Sequence, residues 1–331
     1  MPGPSTKRES CRAGGMGKKE RAEERQQRRE ERLQEIARLR QIPYTDAQRW
    51  WSSETIAVVT GSNRGIGYEI ARSLAAHGLT VILAARDPDK GDEAKKSLQD
   101  EGLEVVFHQL DVCDSASVEQ FANWITVMYG GIDILVNNAG VNFNLGFENS
   151  VEFAEEVMAT NYFGTRRMIE TMIPLMKPSA SGARIVNVSS RLGRLNGRRN
   201  RLGDVNLRNK LAVEESLSEE VIEATINKFL EQVKDGSWIS GGWPQNFTDY
   251  SVSKLAVNAY TRLMAKKNSD RPEGHKIFIN CFCPGWVKTA MTGWQGNISA
   301  EEAADTGVWV ALQPTEPTTG NFFAERREIS F

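Results

Sequence analysis

From Ile56 onward the chain alternates two textures. Short apolar runs, mostly β-branched, recur as IAVVT at 56–60, TVILAAR at 80–86, EVVFHQLDV at 104–112, IDILVNNA at 132–139, ARIVNVSS at 183–190 and KIFINCFCPG at 276–285. Between them lie stretches long enough for crossover helices, with helical patterns at about Tyr68 to His77 and Lys90 to Asp100. Runs that are apolar at successive positions, rather than at alternate ones, belong to strands buried on both faces, as in a parallel sheet sandwiched by helices. The expected architecture is therefore α/β, a doubly wound parallel sheet in a single domain.

Two segments depart from this rhythm. About sixty residues separate Ser190 from Tyr250 where a short connection would serve. This insert, residues 191–249, opens with RLGRLNGRRNR and closes with KDGSWISGGWP. Between these, Ile222, Ile226, Phe229, Leu230 and Val233 make one apolar face of a helix at about 219–234, with Ser216 and Glu219 as its capping box. The basic opening reads as a solvated loop, with a second phosphate clamp as the alternative. At the other end of the chain, residues 1–50 form a charged arm, partly helical or disordered, ahead of a domain at 51–331.

Charge sharpens that division. The formal net charge is −2, yet residues 1–40 carry twelve Lys or Arg against seven Glu. The arm's Glu content argues against an organellar transit peptide, and basic charge without interleaved aromatics is a poor nucleic-acid signal. A solvated arm is the primary reading, with a partner-docking helix as the alternative. No apolar run approaches the ~20 residues of a membrane span. Cys11, Cys113, Cys281 and Cys283 do not form a disulfide framework, and the three His residues share no metal-ligand spacing, so reduced thiols, no metal and a cytoplasmic location are expected.

Candidate chemistry begins directly after the first strand. In TGSNRGIG, Gly61, Gly65 and Gly67 let the backbone turn sharply and approach a pyrophosphate at a helix start, with Ser62, Asn63, Arg64 and Ile66 in the same turn. The second strand ends in Arg86 where an NAD site would place an acid, and a guanidinium suits a 2′-phosphate. With Arg64 as a second candidate, NADP(H) is favoured over NAD(H), although Asp87 is adjacent. Asp111, after the third strand, is placed to bind an adenine amine or to cap its own loop. Tyr250 and Lys254 are one helical turn apart on the same face. An ammonium about 5 Å from a phenol, at an effective dielectric of ~20, contributes on the order of 3 kcal/mol, or roughly two pKa units, toward making that phenol a usable acid.

The order TGSNRGIG, LDV at 110–112, NNAG at 137–140, Asn161, VSS at 188–190, YSVSK at 250–254 and PGWVKT at 284–289 resembles the short-chain dehydrogenase/reductase family. The long insert is similar to that of its monomeric carbonyl reductases and their plant relatives. The resemblance implies an NADPH-dependent reductase of a small hydrophobic ketone or aldehyde. Tyr250 would be proton donor, Ser190 the carbonyl holder (Ser189 the alternative), Lys254 the ribose binder that lowers the Tyr pKa, and Asn161 the support of a water relay. It also implies cofactor contacts from Val112, Asn138, Ala139, Gly140, Pro284, Gly285, Val287 and Thr289, and a lid at Met291 to Asn297, with an ordinary connecting loop there as the alternative. The insert is expected to block the family's dimer face, giving a monomer, and to bring Trp238, Trp243 and Phe247 to the pocket entrance or into the core. The rival reading is an NADP(H)-bound scaffold whose arm recruits a partner.

Overall fold

The computed structural model describes residues 18–143, 149–197, 200–314 and 317–331. The chain divides into two compact units, residues 1–43 and 44–331. The smaller contains α1 (Lys18–Gln41), a charged helix braced by pairs such as Arg28 with Glu24 and Arg32 with Glu35. Residues 44–51 group with the larger unit rather than with the arm. There the Trp51 ring meets Tyr44 edge-on at 4.9 Å, and Trp50 Nε1 donates to the Gln313 carbonyl at 2.9 Å. No helix among the described residues is long and apolar enough to cross a membrane.

The larger unit is built on a sheet whose first six strands are β1 (Ile56–Thr60), β2 (Thr80–Ala85), β3 (Val105–Gln109), β4 (Ile134–Asn137), β5 (Ala183–Val188) and β6 (Ile277–Phe282). They are the six runs expected from their apolar pattern, and β1, β4 and β5 are buried at every position. Two further strands lack such a run: β7 (Phe322–Ala324) and β8 (Arg327–Ile329) have three residues each and form a hairpin on the β6 edge. The order is β3-β2-β1-β4-β5-β6-β7-β8, parallel except for β8. The chain order reverses direction between β1 and β4, so a crevice opens beyond their C-terminal ends, where doubly wound sheets bind ligands.

Helices cover both faces. On one side α2 (Gly65–Ala76), α3 (Pro88–Asp100) and α10 (Ala300–Ala311) enclose a core around Ile70, Leu74, Leu83 and Val136. The other side carries α4 (Ser115–Tyr129), α5 (Val151–Met158), α6 (Thr165–Met172), and the insert helices α7 (Val205–Ala212) and α8 (Glu219–Asp235). With them lies α9 (Thr248–Lys267), nearly all of whose side chains are buried.

The expected insert helix is α8, but its cap is Ser218, whose side chain accepts from Val221 N–H; Ser216 instead donates to the Lys210 and Val213 carbonyls. Leu217, just before the cap, is buried in the same core as Ile222 and sets where the helix starts, a hydrophobic-staple arrangement. Ile222, Ile226, Phe229 and Val233 bury the apolar face of α8 against this core. At roughly 1.5–3 kcal/mol per fully buried large side chain, that face is ample to hold the helix down. Arg166 of α6 pairs with Glu219 and Glu223 of α8, and Lys234 of α8 pairs with Glu155 of α5.

Candidate active site

Two loops meet at the switch point and hold each other. Gly61 follows β1 with φ +63°, and a Cβ there would stand 2.8 Å from the Ala139 Cα. A Cβ on Gly67 would lie 2.3 Å from Asn138 Nδ2, so neither position admits a side chain. Asn138 Nδ2 donates to the carbonyls of Thr60 and Gly61 at 2.9 and 3.0 Å. Thr60 Oγ1 accepts from the N–H groups of Asn138 and Ala139, both at 3.0 Å. Asn138, expected among the cofactor contacts, thus spends its amide bracing the glycine turn. Ser62 is likewise a bolt: its buried hydroxyl donates to the Val59 carbonyl at 2.8 Å and accepts from Ala84 N–H at 3.0 Å.

Helix α2 starts at Gly65 with Arg64 in its N-cap position, extended and making no side-chain cap bond. The first-turn N–H groups, those of Gly65, Ile66 and Gly67, have no partner within the helix. Other helices here are capped by Asp87, Asp114, Ser150, Asp204, Ser218 or Ser299. A glycine cradle facing an uncapped helix start fits a diphosphate. Arg64 and Arg86 are both exposed beside it, near Asn63. Asp87, the residue that could have argued for a free ribose hydroxyl, caps α3: it accepts Lys90 N–H at 3.2 Å and Lys90 Nζ at 2.6 Å, and the side-chain bond from Lys90 holds its carboxyl below the usual range.

Asp111 sits as a loop cap, its Oδ1 accepting Cys113 N–H at 2.9 Å. The Val112 carbonyl accepts Arg167 Nη1 at 2.6 Å, and a Cβ on Gly164 would stand 2.8 Å from Val112 Cγ2. The LDV segment is thereby pressed onto the turn that carries Asn161. That turn, Ala159–Gly164, is a π-helix between α5 and α6, a local widening with i→i+5 bonding that the sequence pattern does not announce. Asn161 is fully buried. Its Oδ1 accepts Val141 N–H at 2.8 Å, and its Nδ2 donates to the Val141 carbonyl and Ser253 Oγ, both at 3.0 Å. One side chain therefore fastens the loop after β4, beyond Gly140, to α9. Ser253, inside the YSVSK motif, was not singled out from sequence.

Tyr250, Lys254 and Ser190 converge at the end of β5. Lys254 Nζ donates to the Val188 carbonyl at 2.8 Å and stands 5.5 Å from the centre of the Tyr250 ring. Burial pushes Lys254 down to about 8. Burial, followed by the neighbouring Cys283 thiol, pushes the Tyr250 phenol up, the reverse of the direction expected from an ammonium one turn away. The reason is desolvation: the protein packed around the partly buried Tyr250 favours its neutral form.

The choice between the two serines has a geometric basis. Ser189 is fully buried and donates to Asn258 Oδ1 at 2.5 Å and to the Lys254 carbonyl at 3.3 Å. Ser190 is partly exposed, and its hydroxyl accepts the local N–H of Leu192 at 3.1 Å. Gly193 explains the spacing after it, because a Cβ there would lie 2.4 Å from the Lys254 carbonyl carbon. The segment after Ser190 lies flush on the α9 backbone, anchored further by Asn258 Nδ2 to the Gly193 carbonyl at 3.1 Å.

The loop after β6 closes the far wall. Gly285 has φ +94°, and Pro284 precedes it. Val287 is buried and bridges in parallel to Ile298. Thr289, whose methyl lies 3.5 Å from where a Gly65 Cβ would be, has its hydroxyl in a capping box with Thr292. The expected lid is tied to Trp286, which precedes it and whose Nε1 donates to the Gln295 carbonyl at 2.9 Å, while the Trp286 carbonyl accepts Asn297 N–H at 2.8 Å. Of the three aromatic residues expected near the entrance, Phe247 alone faces this loop, its ring centre 6.2 Å from that of Trp286. Trp243 is core, edge-on to Phe229 at 5.2 Å with its Nε1 on Gln232, and Trp238 packs on the same core. In the basic opening of the insert, Leu195 and Asn200 are buried, contrary to a solvated loop. Arg198 and Arg199 of that segment lie outside the described residues.

Against known proteins, the short chain dehydrogenase family profile matches residues 55–201. NADPH carbonyl reductase 1 of Bos taurus is 39% identical over 291 residues, covering 85% of this chain and 99% of its own. The (+)-neomenthol dehydrogenase of Arabidopsis thaliana is 40% identical over 297 residues, covering 83% and 97%. Among solved structures, salutaridine reductase from Papaver somniferum superposes with a TM-score of 0.73 at 36% identity, covering 81% of this chain and 99% of that one.

Proposed function

The chain belongs to the short-chain dehydrogenase/reductase family, and from that premise we propose that it is an NADPH-dependent carbonyl reductase acting on a small hydrophobic ketone or aldehyde. The observation that carries the proposal is the convergence of Tyr250 and Lys254 from α9 on the end of β5, where Lys254 bonds Val188 two residues before Ser190. Relatives named for carbonyl reduction and for menthol-type dehydrogenation support the reaction class.

A nicotinamide cofactor, when bound, would supply the hydride. The glycine turn and the start of α2 hold its diphosphate, and Arg64 and Arg86 suit a 2′-phosphate, with Asp87 withdrawn to cap α3. Ser190 Oγ holds the substrate's carbonyl oxygen, and Tyr250 Oη gives that oxygen its proton. The phenol, raised by burial, is fully protonated at neutral pH, which suits an acid. Lys254 steadies the ribose and, as an ammonium, favours the phenolate left behind. Asn161 fixes the Val141 loop beside them.

The α8 helix lies over α5, α6 and α9 and buries its apolar face there, which supports a monomer. Free, buried thiols at Cys281 and Cys283 suit a reducing cytoplasmic setting. The reading is tested by mixing the protein with NADPH and a panel of quinones, aldehydes and cyclic terpenoid ketones. Loss of reduced-nicotinamide absorbance with at least one of them is expected; tight NADPH binding without turnover of any would overturn it.

A further inference from the structure

Helix α9 begins in an unusual way. Its N-cap residue, Phe247, is in the left-handed region with φ 48° and ψ 59° and offers no side-chain cap bond. That backbone is costly for a residue with a bulky side chain, and here the Phe247 ring faces Trp286 across the mouth of the site. The first-turn N–H groups still need acceptors. Ser251 N–H, the first donor to have an intrahelical partner, bonds the Phe247 carbonyl at 2.7 Å. Tyr250 N–H finds Asp249 Oδ1, also at 2.7 Å.

Asp249 is fully buried, an uncommon place for a carboxylate, and the chemistry proposed above makes no use of it. Consecutive helical side chains point about 100° apart, so its carboxylate does not share the direction of the Tyr250 ring. Its hold on that residue is through the backbone N–H, the group that an N-cap side chain would otherwise take. The next residue is held as firmly: Ser251 Oγ donates to the Asn246 carbonyl at 2.6 Å and accepts from Asn200 Nδ2 at 3.0 Å, while Asn200 Oδ1 accepts Asn246 N–H at 2.9 Å.

We infer that Asp249 is a positioning residue: it substitutes from inside the helix for the cap that Phe247 cannot supply, and so fixes the Tyr250 phenol against the substrate oxygen. The inference rests on the reductase reading. A displacement of about 1 Å at a proton donor can cost on the order of a hundredfold in rate, so the effect belongs in kcat.

The test compares wild type, Asp249→Ala and Asp249→Asn with NADPH and a carbonyl that the wild type reduces, together with NADPH binding by fluorescence and thermal unfolding. Asp249→Ala is expected to lose roughly tenfold or more in kcat with its NADPH affinity changed less than about twofold. Asp249→Asn, which keeps an acceptor oxygen, is expected to recover most of that kcat. Should Asp249→Ala not fold, Asp249→Ser, with a shorter reach, is judged by the same criteria. Equal kcat in the wild type and the truncated variant, a parallel loss of NADPH affinity, or no recovery in Asp249→Asn overturns the inference alone. A wild type that binds NADPH but reduces nothing overturns the underlying reading and the inference with it.

Discussion

The ammonium of Lys254 stands 5.5 Å from the centre of the Tyr250 ring and is tied to the Val188 carbonyl at 2.8 Å, so its position is set by β5 as much as by its own helix. An ammonium so held acts on the phenol from a fixed point. That rigidity makes its protonation state the variable that matters.

A pH profile reads it directly. Burial depresses Lys254 from its ordinary value of 10.5 to about 8. As pH rises through about 8 the folded enzyme loses the ammonium, so kcat/KM for NADPH, which reports the free enzyme, should fall on that limb. Lys254→Arg should move the limb to higher pH. The stability sign is the opposite: below pH 10.5 the unfolded chain binds this proton more readily than the folded one, so Lys254 contributes a penalty that is complete below about 8 and relieved as pH climbs toward 10.5.

Removal of the phenolic hydroxyl tests the proton donor. Tyr250→Phe should lower kcat by about 10²–10⁴-fold while NADPH still quenches protein fluorescence as in the wild type. Turnover untouched by this substitution would remove Tyr250 from the reaction.

Cofactor choice should follow the two exposed guanidiniums. Arg86→Ala combined with Arg64→Ala is expected to weaken NADPH at least tenfold, the scale of a lost charge-assisted bidentate contact, and to leave NADH nearly unchanged. Isothermal titration with both nucleotides measures the difference.

The switch point has its own signature. Gly61→Ala places a Cβ 2.8 Å from the Ala139 Cα in a left-handed backbone. A stability loss on the order of 1–3 kcal/mol in denaturant titrations is expected, along with weaker NADPH binding because the two loops must part.

For the insert, Phe229→Ala empties a fully buried site against Trp243. A cost of about 3–5 kcal/mol is expected, measured by urea unfolding.

Five of the six strands were legible because each is a run almost wholly buried on both faces, a pattern that two-sided packing forces on sequence, and the edge strand β3, buried only at Val105, was legible from its short apolar run alone. The β7–β8 hairpin was not, since three residues per strand leave no period to read and their pairing depends on the open edge of β6. The glycine turn was legible for a steric reason now visible at Gly61 and Gly67, where no side chain fits. Three things were opaque: the capping of α8 by Ser218 rather than Ser216, decided by the burial of Leu217 between them; the fate of Trp243, decided by a partner on α8; and the rise of the Tyr250 pKa, decided by the sum of burial around it. Each depends on neighbours distant in sequence.

The π-helical turn at Ala159–Gly164 amounts to one surplus residue lodged in an otherwise continuous α5–α6 rod. Excising one residue there would let the rod close into ordinary α-helical winding with α5 and α6 keeping nearly their present register, because the wide turn only absorbs the extra residue. Asn161, carried on that turn, would lose its alignment with Val141 and Ser253 together, so a single deletion would unfasten the β4 loop from α9 while α5 and α6 stay packed.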